Sequence, residues 1–199
     1  FRMLRVLKNR FGPNQELLVF RMEQKGLQVV EDPSTFFLGA RDASLSGTAV
    51  VMAVEGQRPF AVEMQALATR SYLSIPRRTG LGFDVNRLHL LLAVLEKRLR
   101  LNFAQYDIFA KVGGGMKLQE PALDLALVAA LLSLYDIPLP ERAVFWGEVD
   151  LNGQVRPVSG HDMRLAQAKR LGYAPLFHPG PDKNGVDTVM RLQKLLFRK

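Results

Sequence analysis

The sequence predicts an α+β domain, and three observations lead there. Short apolar runs separated by turn chemistry crowd the first seventy residues or so; apolar residues at helical spacing take over after Asp84; and the two kinds of element alternate too irregularly for a βαβ array. The chain has 199 residues, 48% hydrophobic and 23% charged. That is enough for one large domain or two small ones with a substantial core, and too apolar for a disordered chain.

Taken in order, Leu4–Leu7, Glu16–Met22 and Leu27–Val30 are the first predicted strands, divided by Gly12-Pro13-Asn14 and Gln24-Lys25-Gly26. Thr48–Val54 and Phe60–Ala68 form a second pair around the loop Glu55-Gly56-Gln57-Arg58. The stretch Ser74–Gly82 reads as a loop, because Pro76, Gly80 and Gly82 interrupt it. Asp84 is placed to cap a helix running to about Arg100. Its apolar stripe is Val85, Leu88, Leu92, Leu95 and Leu99, with Arg87, Glu96, Lys97, Arg98 and Arg100 opposite. Tyr106–Val112 is a strand ending in three glycines. A helix from about Pro121 to Tyr135 is apolar almost all round and therefore expected to be buried. Ala143–Val149 and Gln154–Val158 are strands around the Asn152-Gly153 turn. A basic helix over Gly160–Leu171, a short strand Pro175–His178 and a helix Val186–Phe197 complete the chain.

Several chemistries are excluded or disfavoured. With no cysteine there is no disulfide framework, no Cys-ligated zinc or iron–sulfur site and no thiol nucleophile, which fits a cytosolic setting. The longest apolar stretch, around Leu125–Leu134, covers about half a bilayer, so no transmembrane helix is expected. The opening Phe1-Arg2-Met3-Leu4-Arg5 lacks the apolar core of a signal peptide, and a start on Phe suggests a longer parent. Gly113-Gly114-Gly115-Met116-Lys117 has a lysine but neither the spacing nor the Ser/Thr of a phosphate-binding loop. His89, His161 and His178 are scattered, and Glu120 and Asp124 read as capping, solvated carboxylates, so no metal site is expected.

The 27 Lys+Arg outnumber the 19 Asp+Glu, for a formal charge of +8, a balance that suits a polyanionic partner. Arg77 and Arg78 sit in the Pro/Gly loop, with Arg70 and Arg87 nearby in sequence. Such a loop can bring guanidinium forks to phosphates. Lys97, Arg98 and Arg100 instead answer the helix dipole.

Lys8-Asn9-Arg10-Phe11-Gly12 spells KNRFG. Together with Pro76-Arg77-Arg78, Asn86-Arg87-Leu88, Leu92–Arg98, Glu120-Pro121-Ala122 and Gly147-Glu148-Val149 followed by Val155–Val158, it resembles the C-terminal part of the RadA (Sms) family of bacterial DNA-repair proteins. The resemblance implies that residues 1–30 are the β-rich tail of a RecA-like ATPase module. Residues 31–199 would then be similar to the proteolytic domain of Lon, a ribosomal protein S5 domain 2-like fold. It further implies a homo-oligomeric, hexameric ring in the bacterial cytoplasm, with no membrane association, that binds single-stranded and branched DNA and drives branch migration in homologous recombination. The recombinase RecA is a candidate partner. ATP and Mg belong to the ATPase module of the full-length parent and zinc to its N-terminal finger, with no cofactor in this segment.

Lon-type proteases pair a serine nucleophile with a lysine that must be neutral. By resemblance those places are Ala122 and, in ungapped alignment from Pro157 to Gly172, Asp162. Neither can do the chemistry, so the segment is expected to be non-proteolytic. Ser133 is expected to bond back to its own helix, Ser159 to cap the next, and Lys117 to lack a serine partner. The resemblance also gives Lys8 and Arg10 a role in sensing a neighbouring subunit's nucleotide. The function expected is a DNA-binding, ring-forming module; the alternative is a purely structural hexamer scaffold, with DNA held by the ATPase module.

Overall fold

In the computed structural model, residues 2–5, 8, 10, 17–30, 34, 38, 44–135 and 137–197 are described. The predicted turn Gly12-Pro13-Asn14, the end of the first predicted strand at Val6 and Leu7, and Asn9, Phe11 and Gly12 of KNRFG lie outside them.

Strands β1 (Arg2–Arg5), β2 (Leu17–Glu23) and β3 (Gly26–Val29) form an antiparallel sheet in that order. Gly26, at φ 116°, makes the tight β2–β3 reversal that a side chain would strain. Val19 is buried in the main core and its carbonyl accepts the Val30 amide, while Leu27 and Val29 face solvent.

The main sheet is built on β4 (Thr48–Glu55) and β5 (Arg58–Arg70), an antiparallel hairpin whose residues are apolar on both faces. Beyond β5 lie β6 (Arg78–Leu81) and β7 (Tyr106–Val112); beyond β4 come the two-residue strands β8 (Val144–Phe145) and, after β9 (Glu148–Val149) and β10 (Val155–Arg156), β11 (Leu176–Phe177). The order is β11-β8-β4-β5-β7-β6, parallel at β11–β8, β8–β4 and β7–β6 and antiparallel elsewhere. A mixed sheet covered by helices is compatible with the α+β class expected.

Among the described residues, four helices cover it: α1 (Val85–Leu99), α2 (Leu123–Ser133), α3 (His161–Arg170) and α4 (Val189–Phe197). Asp84 caps α1, its carboxylate accepting the Asn86 amide at 2.9 Å. Every residue of α2 is buried, as its all-round apolar surface requires. Alternation along β4 sorts the core into two. Ala49, Val51 and Ala53 face the cluster formed with α1, α2 and α4, whereas Val50 and Met52 face a smaller cluster with Ala61, Trp146 and Ala168 of α3. Among the described residues, no helix is long and apolar enough to cross a membrane.

Two local expectations are corrected. The stretch predicted as a loop before Asp84 contains β6. Its Gly80 lets α1 begin close against the strand: a Cβ there would lie 3.2 Å from the Val85 Cα, a tight contact. The strand expected over residues 143–149 is two short strands broken at Trp146-Gly147. The Gly147 amide donates to the Ala122 carbonyl and its carbonyl accepts the Leu125 amide, tying the break to the start of α2.

Candidate functional site

Two strands end side by side on either flank of β7. Arg70, at the end of β5, pairs with Tyr106, and Arg78, at the start of β6, pairs with Ile108. The connection 71–77 therefore spans the first residues of β7 and is fixed there at both ends. The Ser71 amide donates to the Gln105 carbonyl at 2.8 Å, the Arg77 amide to Asp107 Oδ1 at 2.7 Å, and the Ile108 amide to the Arg77 carbonyl at 2.9 Å. The Asp107 carboxyl is held below the usual carboxylate range, first by the Arg77 amide, then by the Ser71 side chain and by the charges of Arg77 and Arg78.

The structure thus brings together three of the four arginines chosen from the sequence, but gives them different work. Arg78 turns inward, its guanidinium donating to the carbonyls of Arg77, Tyr106 and, at 2.8 Å, Phe103. Arg70 and Arg77 are exposed at the two roots of the connection. Between them stand two large side chains that sequence reasoning missed, Tyr72 at 91% and Ile75 at 81% exposure. The signal was available: bulky apolar residues inside a loop bounded by arginines.

Arg87 lies elsewhere, on α1. Its Nε donates to Asp124 Oδ1 at 2.5 Å and its Nη2 to Oδ2 at 2.8 Å, with Glu148 at 3.7 Å. Asp124 is buried and also accepts the Val149 amide at 3.0 Å. It is therefore not the solvated carboxylate expected, because a helix buried on every side must pair any charge it carries. Glu120 departs from expectation likewise: Oε1 accepts the Val54 amide at 3.0 Å and Oε2 the Arg164 guanidinium at 2.6 Å.

At the corner around Ala122, one of the two places expected for a Lon-type dyad is closed and the other is open. Ala122 is fully buried in the cluster with Met52, Trp146 and Ala168. Asp162 is exposed on the first turn of α3. That helix turns Arg164 inward beside Ala168; Arg164 is 1% exposed and donates to the Met52 carbonyl, to the Ser159 carbonyl at 3.1 Å and to Glu120. Ser159 is not the cap expected for α3, since the left-handed Gly160 (φ 71°) starts the helix one residue later. Ser133 donates to the Ala130 carbonyl at 3.0 Å and also accepts the Gly47 amide at 2.6 Å, so its hydroxyl is committed. Lys117 is exposed beside a polar cleft of about 360 Å³ that includes Glu55 and Glu120. Lys8 and Arg10 are exposed.

Behind this corner the Trp146 indole stacks on His178 at 4.6 Å, and its Nε1 donates to His161 Nδ1 at 3.4 Å. Burial pushes the His178 imidazole below the ordinary histidine range, a shift the Pro179 carbonyl opposes. Among the described residues, no three His, Asp or Glu side chains are grouped to hold a metal ion.

No protein-family model matches the chain. Curated relatives do. The chain is 45% identical over 174 residues to "DNA repair protein RadA" of Rickettsia bellii, which is 87% of this chain and 39% of that protein. It is 45% identical over 179 residues to the protein of the same name from Synechocystis, 89% and 35% of the two chains. For that of Bacillus subtilis the figures are 43% over 186 residues, 93% and 41%. The chain thus spans about two fifths of the length of these relatives. Agreement at this level across nearly the whole chain has one reading: it belongs to the RadA family of DNA repair proteins.

Proposed function

We propose that this segment is the Lon-like, non-proteolytic C-terminal domain of a RadA-type repair protein, with residues 1–30 as the tail of the preceding ATPase module. In this reading it contributes DNA binding and ring formation to a motor that moves DNA branches. The observation that carries the DNA-binding part is the pair Arg70 and Arg77. They stand exposed at the two roots of one anchored connection, on a chain with a formal charge of +8. Guanidinium groups so placed meet phosphates without reading bases, and their contribution weakens as salt rises. Arg78 supports them by holding the connection, and Arg87 is committed to Asp124.

The sequence has no phosphate-loop pattern and no cysteine, so the ATP, Mg and zinc of the family do not fit this segment and belong to other modules of the parent. Lys8 and Arg10 would act on a neighbouring subunit's nucleotide only with that ATPase module present.

The test is fluorescence anisotropy with single- and double-stranded oligonucleotides across a salt series, with light scattering for mass. Expected is binding with a steep negative salt slope, which Arg70→Ala/Arg77→Ala flattens by roughly 0.7–0.9 per lost phosphate contact. Absence of binding at low salt overturns the assignment. One observation favours the scaffold reading. Leu45, Leu67 and Leu81 are exposed around a groove of about 370 Å³ on the β5-β7-β6 face, an apolar surface suited to subunit packing. A ring-sized mass without DNA retention selects it.

A further inference from the structure

We infer that the segment Tyr72–Ile75 is a base-stacking element that engages unpaired nucleotides, with Arg70 and Arg77 gripping the flanking phosphates; this rests on the DNA-binding reading above. Exposed apolar side chains scattered singly are ordinary. Here Tyr72 and Ile75 are 91% and 81% exposed within four residues of each other, and Leu73 between them is 47% exposed. They do not stand out because the loop is slack. The Ser71 amide is bonded to Gln105, the Leu73 amide to Ser71 Oγ at 3.2 Å, and the Arg77 amide to Asp107. Pro76 restricts its own φ, and Arg78 ties the far root to the Phe103 carbonyl. The anchored roots hold bulky side chains in water and place a guanidinium on each side of them.

A nucleic-acid strand is the occupant this chemistry fits. An aromatic ring offers a face to any base, and an aliphatic neighbour can wedge at a base step, while the arginines neutralise the backbone on either side. A protein partner with an apolar patch would leave both guanidiniums facing it without need. Base faces are hidden inside a continuous duplex and open only in single strands, at frayed ends and at junctions. The element therefore selects unpaired over paired DNA and does so with little regard to sequence. Because the roots are already fixed, ordering the loop adds little to the entropic cost of binding.

The experiment is anisotropy of the 199-residue chain with a labelled oligo-dT and with a blunt duplex of equal length, each over a salt series. Tyr72→Ala is expected to weaken oligo-dT binding about tenfold with an unchanged salt slope, to leave duplex binding unaltered, and to be rescued by Tyr72→Phe. Arg77→Ala weakens both ligands and lowers the slope. If the parent chain binds with a steep slope and Tyr72→Ala binds oligo-dT equally well, the stacking role is wrong and the phosphate site stands. Equal loss on both ligands also overturns it and leaves a general docking loop, as for a protein partner. No binding by the parent chain at low salt removes both readings together.

Discussion

Arg164 and Arg77 are the same residue type in two opposite settings. Arg164 is 1% exposed and donates to Glu120 and to two main-chain carbonyls, cross-linking α3, β4 and the approach to α2. Arg77 is exposed, on the same connection as the exposed Tyr72 and Ile75, and the fold holds it by its amide on Asp107. The contrast separates arginines that hold the molecule together from those it offers to something else. Charge composition cannot make that distinction, since both count equally toward +8. What decides is whether a carboxylate or carbonyl of the same chain reaches the guanidinium first.

The largest expected effect tests that separation directly. Arg164→Met removes the partner of Glu120 and is expected to destabilise the fold by about 3–5 kcal/mol, whereas Arg77→Met stays within about 0.5 kcal/mol of the parent. Urea unfolding followed by Trp146 fluorescence reads both. Adding Glu120→Gln to Arg164→Met should recover part of the loss, since the amide oxygen can still accept the Val54 amide. Similar stabilities for the two Met variants would erase the comparison.

A smaller effect sharpens it through pH. The closed side of the molecule holds His178, buried against Trp146 and faced by His161, Asp182 and Lys169. Desolvation comes first among the causes that lower its pKa; the His161 and Lys169 charges act the same way, while the Pro179 carbonyl and Asp182 oppose them. The unfolded chain then binds a proton near the ordinary value of about 6.5, where the folded chain does not. Stability from this group is complete above that pH and is lost as pH falls through and below it. Asp107 and Asp150, whose pKa values are lowered by hydrogen bonds from the main chain, act in a separate window further into acid, below about 4. The urea midpoint should therefore drop between pH 7.5 and pH 5.5, and His178→Phe, which keeps a ring against Trp146, should flatten that drop. A midpoint that rises on acidification contradicts the sign.

How much of this was legible in advance depended on distance along the chain. The caps and faces of α1 and α2 are local: Asp84 precedes its apolar stripe, and a helix apolar on every side has to be buried. Strand β6 was hidden because four residues between Pro76 and Gly82 carry no periodicity, and only a long-range parallel pairing with β7 makes them a strand. The ion pairs were hidden for the same reason. Arg87 finds Asp124 37 residues away and Arg164 finds Glu120 44 residues away, so two carboxylates that read as solvated are structural. Arg77 and Arg78 looked equivalent as neighbours, and only the fold points one inward and one outward.

The smallest expected effect concerns the two places expected for a Lon-type dyad, Ala122 and Asp162. Ala122→Ser with Asp162→Lys restores the residue types of a Lon-type dyad, yet no peptide hydrolysis above the parent chain is expected in a fluorogenic peptide assay. A hydroxyl at position 122 would enter a fully buried cluster of Met52, Trp146 and Ala168, with no open surface from which to reach a carbonyl. A lysine at position 162 would sit on the exposed first turn of α3, solvated and protonated, where it also meets the positive end of the helix at a cost of about 0.3–1 kcal/mol. A nucleophile needs an accessible hydroxyl and a base that is at least partly neutral, and burial at 122 with exposure at 162 works against both. Sustained turnover by the double variant, surviving repurification, would mean that the corner opens in solution and that burial of Ala122 is not what silences it. Without turnover, restoring two residue types is shown to be insufficient where one place is buried in the core and the other stands in solvent.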